Sequence, residues 1–161
     1  MDQLTIFAEP RRTSVQAALS CTFGAKSLKK LQPLIGGASA STYRIEIDDR
    51  VYVLRLDTAR DVFRNPHRSY TCLQAAAAAG IAPPVHYLDP VTGVSIVDYL
   101  PERPLLEHRG GDAGIIRELA GLLVRLQSTP VFPPLADFQT ILARSLELVH
   151  ASGLFSPRLL R

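Results

Sequence analysis

Residues 34–56 read LIGGASASTYRIEIDDRVYVLRL. A glycine pair (Gly36, Gly37) and a small polar run lead into residues 42–47, where Tyr43, Ile45 and Ile47 alternate with Arg44 and Glu46. That period of two predicts a half-buried strand. Asp48-Asp49 then reads as a short hairpin connection. Residues 51–56 set Val51, Val53 and Arg55 on one face and Tyr52, Leu54 and Leu56 on the other. Both faces are largely apolar, which predicts a central strand. A loop with little side-chain bulk lets backbone N–H groups approach a polyphosphate, and a cation on the neighbouring strand can neutralise it. By itself a glycine pair marks a turn, and an arginine in a strand an exposed or paired charge. Only their combination supports an anion clamp.

Upstream, residues 13–23 can form a helix capped by Thr13 or Ser14 and ended by Gly24. Residues 28–35 read as a strand whose Pro33 predicts a sheet edge or a bulge. Downstream, residues 66–79 read as a helix. Pro66 suits its first turn, the alanines favour it, and Gly80 with Pro83-Pro84 ends it. Residues 85–88 and 94–100 read as two further strands joined by a turn at Val91-Thr92-Gly93. After the linker PERPLLEHRGG (101–111), Asp112 is expected to cap a helix to about Gln127 with Ile115, Leu119, Leu122 and Leu126 on one face. A last helix over 135–151 places Phe138, Ile141, Leu142, Leu146 and Val149 along a stripe. The expected order is one helix, three strands, one helix, two strands, then helices only.

Composition narrows the function classes. Hydrophobic residues are 47% of the 161, enough for a real core rather than a disordered chain. The net charge of +3 comes mostly from arginines scattered along the chain, without a basic patch that would mark nucleic-acid binding. No segment reaches the roughly 18 consecutive apolar residues of a membrane span. No signal-peptide pattern leads the sequence, so a cytoplasmic location is expected. Cys21 and Cys72 show no C-x-x-C spacing, and both are expected to be small buried hydrophobes. Gly24-Ala25-Lys26-Ser27 lacks the adjacent Gly-Lys and the upstream glycine of a Walker loop.

Five strands with one helix inserted after the third resemble the small lobe of the protein-kinase fold. Local sequences sharpen the match: PLIGGASASTYRI, YVLRL, AAAAAGIAPPVHYLDP, GVSIVDYLPERPL and ELAGLLVRLQSTPVF, in that order. Together they resemble the aminoglycoside phosphotransferase and choline kinase family of small-molecule kinases. The resemblance covers roughly residues 15–150. It implies an α+β fold, with a five-stranded antiparallel small lobe over 1–100, a hinge and linker over 101–111, and the start of a helical large lobe over 112–161. It also implies ATP, Mg2+ and a small-molecule hydroxyl acceptor. By position, Gly36, Gly37, Ala38 and Ser39 would cover the phosphates and Arg55 would contact them. The backbone around Asp98, Tyr99 and Leu100 would bond adenine, between walls supplied by Leu34 and Val53.

Three departures accompany the resemblance. The family's catalytic loop is H-x-D followed four residues later by Asn, in which Asp takes the hydroxyl proton and Asn helps hold magnesium. His67, His86, His108 and His150 are followed two residues later by Ser, Leu, Gly and Ser, and Glu147 is the only acid after Asp137. No catalytic residue and no metal ligand is therefore assigned. The inserted helix would supply a Glu to the strand cation, but its position falls at or near Ser69, with no acid between Asp61 and Asp89. Arg55 is left without its expected partner unless Asp61 or Asp98 substitutes. Ala40 and Gln127 stand where many relatives have Asn and His. The expected function is an ATP-dependent small-molecule phosphotransferase that stops before its catalytic loop and is inactive alone. The alternative is a non-catalytic nucleotide-binding or scaffold module. Its helices over 112–151 would then dock on a partner or a second copy.

Overall fold

The Asp48-Asp49 turn closes the hairpin on which the sheet is built, with Asp48 in the left-handed region at φ 53°. In the computed structural model, which describes residues 3–35, 40–57, 65–130, 132–133 and 137–154, five strands form one antiparallel sheet. They are β1 (Leu28–Leu34), β2 (Ala40–Ile47), β3 (Arg50–Asp57), β4 (Val85–Asp89) and β5 (Val94–Asp98), in the order β1-β2-β3-β5-β4. β3 is central, as its two apolar faces predict. β1 is an edge, where Pro33 can sit without breaking an interior ladder. The helices are α1 (Arg11–Phe23), α2 (Pro66–Ala78), α3 (Gly111–Gln127) and α4 (Phe138–Ala151). Two short 3-10 turns, Gln3–Ile6 and Leu105–Glu107, complete the described elements.

Directly opposed residues of an antiparallel ladder share a face. The register pairs Tyr43 with Leu54, Ile45 with Tyr52, Leu54 with Ile96 and Leu56 with Val94. This face carries the core. Ile45, Leu54, Val94 and Ile96 are fully buried there, together with Val15 and Ala18 of α1. The opposite face carries the row Leu34, Thr42, Arg55, Ser95 and Leu88, each paired with the next across the sheet.

Several local expectations are corrected. α1 begins at Arg11 rather than at residue 13. Glu9 lies four residues before Thr13, and its Oε2 accepts from Thr13 N (3.3 Å) and Oγ1 (2.7 Å), so neither Thr13 nor Ser14 caps the helix. The N-cap of α3 is Gly110, without a side-chain cap, and Asp112 lies in the first turn. The Gly110 amide instead donates to His108 Nδ1 (3.1 Å). α4 starts at Phe138, where Asp137 accepts from Thr140 N (2.9 Å) and Oγ1 (2.7 Å). These bonds hold the exposed Asp137 carboxyl below the usual range. Cys21 is exposed, because the buried stripe of α1 runs through Val15 and Ala18 and misses it; Cys72 is half-buried. Leu119 of α3 and Phe138, Leu142 and Leu146 of α4 are exposed, so neither expected stripe forms a covered core face.

At the β4–β5 turn, Asp89 Oδ1 accepts from Val91 N (2.8 Å) and Oδ2 from Thr92 Oγ1 (2.6 Å). Gly93 follows at φ +71°, where an added Cβ would lie 3.2 Å from Asp57 Cβ and 3.5 Å from Asp57 O. Arg11 fastens α1 to the same corner, donating from Nη1 to Thr92 O (2.6 Å) and from Nη2 to Asp57 O (2.9 Å). Gly93→Ala is expected to destabilise the chain by about 1–3 kcal/mol, the range for a strained backbone conformation. Gly121→Ala, on α3 with nothing within 4 Å of the added Cβ, is expected to gain up to about 1 kcal/mol of helix propensity. Denaturant midpoints of the two variants check the contrast.

Candidate functional site

Arg55 projects from the middle of the central strand, on the face opposite the core, with its side chain half exposed at 50%. Asp57 follows two residues later, so both side chains point the same way. Asp57 Oδ1 accepts from Arg55 Nε at 3.1 Å. The partner of Arg55 is therefore Asp57, which the sequence expectation overlooked. Asp98 does not serve, since it lies opposite Tyr52 on the core face and its Oδ1 sits 2.7 Å from His86 Nε2. Asp61 lies outside the described residues. A strand period of two was the available signal, because R-L-D puts an acid beside a cation on one face.

The second oxygen of Asp57 is also held. The phenol of Tyr70, from the first half of α2, donates to Asp57 Oδ2 at 3.0 Å. Tyr70 is buried (6% exposed) and the Asp57 side chain is nearly so (13%). Burial, then the negative charge of Asp57, then the hydrogen bond donated to it push the phenol well above its ordinary value of 10.0; Ser95 and Arg55 act the other way. Tyr70 therefore stays protonated and a donor. Its contribution to stability is complete below pH 10.0 and is lost only as pH rises further. Ser95, directly opposite Arg55 on β5, is buried as well.

Elements around this group fix its frame. Asn65 caps α2, its side chain accepting from Arg68 N (3.3 Å). At the other end Gly80 turns the chain at φ +68°, and its carbonyl accepts from Arg125 Nη1 of α3 (3.4 Å). Arg68 Nε donates to Pro133 O (3.0 Å), a second tie between α2 and the helical region. Leu34 and Val53 lie on the Arg55 face, with Leu34 36% exposed.

Past β5, the Asp98 amide donates to Pro84 O (3.0 Å) and the Tyr99 amide to Val51 O (3.3 Å). Among the described residues, no protein group accepts from the amide of Leu100, which is 63% exposed. The Arg44 guanidinium stands 5.6 Å from the Tyr99 ring centre, within cation–π range. Gly36, Gly37, Ala38 and Ser39 lie outside the described residues. Among the described residues, no group of three or more His, Cys, Asp or Glu could hold a metal ion. None of their helices is long and apolar enough to cross a membrane.

Comparison with known proteins places this architecture. The chain is similar to a solved choline/ethanolamine kinase family protein from Mesorhizobium loti, with a TM-score of 0.59 at 20% sequence identity. The similarity covers 91% of this chain and 48% of that one, so the chain spans about half the length of that relative. At this identity the likeness bears on the fold, which agrees with the expected α+β architecture and its helix inserted between β3 and β4. No curated protein matches the chain. The model of the phosphotransferase enzyme family matches residues 30–156, from within β1 to beyond the end of α4, and the chain belongs to that family.

Proposed function

We propose that the chain forms the nucleotide-binding part of an ATP-dependent phosphotransferase whose acceptor is a small-molecule hydroxyl. The carrying observation is Arg55, half exposed on the central strand and held at Nε by Asp57. Nε being engaged, the four N–H donors on Nη1 and Nη2 are those a phosphate would take in a bidentate, charge-assisted pair. Gly36, Gly37, Ala38 and Ser39, between β1 and β2 in the sequence, would supply backbone N–H groups to phosphate in this reading. In the hinge the Asp98 and Tyr99 amides are already used, so Leu100 N–H is the donor to adenine, with Leu34 and Val53 as walls. In this reading residues 1–100 are the clamp, 101–111 the hinge and linker, and 112–161 the start of a helical lobe.

No catalytic role is assigned to any residue of this chain. The chain contains no H-x-D-x-x-x-x-N segment. Alone it binds nucleotide without transferring phosphate. The test is calorimetric titration with ATP and adenosine, alongside a phosphotransfer assay over hydroxylated amines, sugars and amino alcohols. Binding of ATP without product supports the reading. Phosphotransfer by the purified chain would overturn the inactive half of it, and absence of ATP binding would overturn the whole.

A second reading, a docking module, is favoured by one observation. Ile116, Leu119 and Leu123 of α3 and Phe138, Leu142 and Leu146 of α4 are all exposed. Contiguous exposed apolar surface marks an interaction site. The purified chain is expected to associate as concentration rises, and Leu119→Lys with Phe138→Lys should suppress this. Light scattering that shows a monomer throughout would count against it.

A further inference from the structure

The inserted helix carries no acid facing β3, yet α2 is still chemically tied to the strand cation. Ser69, near the position where a helix acid would stand, is exposed. The next residue, Tyr70, turns inward and donates to Asp57 Oδ2 (3.0 Å), while Asp57 Oδ1 holds Arg55 Nε (3.1 Å). We propose that Tyr70 and Asp57 are positioning residues that aim the Arg55 guanidinium at the nucleotide phosphates, so that the seating of α2 sets phosphate affinity. This deepens the nucleotide-binding reading and rests on it.

Geometry supports a relay rather than a buried phenol satisfied by chance. A carboxylate can take two donors on separate oxygens, and here one comes from each side of the junction between helix and strand. Asp57 is also fixed along its backbone. Its amide donates to Gly93 O (2.8 Å) and its carbonyl accepts from Arg11 Nη2 (2.9 Å). A side chain on so constrained a backbone, bonded at both oxygens, has little freedom to swing. Arg55 is the mobile member, being half exposed and attached at Nε. Loss of the Tyr70 hydroxyl would free Asp57 to rotate, and Arg55 would lose the orientation that a bidentate phosphate contact needs. The acid travels with the strand, two residues from the cation, and the helix contributes the neutral donor. An ion pair between helix and strand is thus replaced by an ion pair within the strand, latched from the helix.

The test compares Tyr70→Phe, Asp57→Ala and the double variant in the intact chain. Tyr70→Phe keeps the buried ring and removes only the hydroxyl. It is expected to weaken ATP binding about three- to tenfold, the value of one hydrogen bond, and to leave adenosine binding unchanged. Asp57→Ala should weaken ATP binding further, and the double variant should be no weaker than Asp57→Ala, because Tyr70 acts through Asp57. The Arg55 Nε–H should exchange with solvent faster in both single variants than in the parent. Unchanged ATP affinity in Tyr70→Phe overturns the proposal. So does tighter ATP binding by Asp57→Ala, which would make Asp57 a source of repulsion only, or an added loss in the double variant. If the parent binds no ATP, the nucleotide reading fails by itself. The Arg55 Nε–H exchange rate then decides the relay: faster exchange in Tyr70→Phe supports it, and an unchanged rate overturns it.

Discussion

Arg55→Ala is expected to bind ATP at least about tenfold more weakly than the parent and to bind adenosine equally well. Hydrogen bonds to charged groups contribute about 1.5–3 kcal/mol each, and 1.4 kcal/mol is a factor of ten in affinity. A guanidinium that clamps phosphate would therefore give between ten- and a hundredfold, concentrated in ligands that carry the phosphates. The fold should persist, because the Arg55 side chain is half exposed and outside the core. Its removal leaves Asp57 with the Tyr70 hydrogen bond, at a cost of roughly 1 kcal/mol in stability for the lost pair. Titration with ATP and adenosine, with circular dichroism as a folding control, checks it. Equal loss for both ligands would mean a general disturbance of the hinge, and no loss would remove Arg55 from the site.

The largest effect on stability is expected from Leu54→Ala, at about 2–5 kcal/mol. Leu54 is fully buried on the central strand, opposite Tyr43 on one side and Ile96 on the other. Truncation there leaves a cavity between two ladders and α1, where the backbone has little room to close it. Net stabilities of about 5–15 kcal/mol make this a large fraction of the total. Val91→Ala, at a residue 69% exposed in the β4–β5 turn, is the control and should change stability by less than about 0.5 kcal/mol. Urea midpoints measured at fixed pH decide the comparison. A cost for Leu54→Ala no greater than for Val91→Ala would show that the sheet packs differently.

Much of the fold was legible because each element repeats its signal. Alternation over residues 42–47 and 51–56 marked two strands, Pro33 marked an edge, and Gly24 and Gly80 ended helices where expected. Helix starts were less legible. Glu9 and His108 act from before the helical segment, and neither is a usual N-cap residue. Part of the candidate site was legible in the same local way. The strand pattern put Arg55 and Val53 on one face of β3, where the structure has them, whereas the hinge and the wall residues came from the resemblance. The partner of Arg55 was not legible, because the resemblance points to an acid on the helix, whereas Asp57 stands two residues along the same strand.

The sequence by itself determined that five strands with one helix inserted after the third lie between residues 28 and 100, and that a cation stands on the strand read as central. Those features follow from side-chain periods and turn residues, which act over a few positions. Only the tertiary structure decided that Asp57 holds this cation, that Asp98 turns away to His86, and that Tyr70 latches Asp57 from α2. The physical reason is that local periodicity fixes the face on which a side chain emerges, whereas a hydrogen bond also needs the distance between two elements. Packing alone brings the phenol of α2 within 3.0 Å of a strand carboxylate.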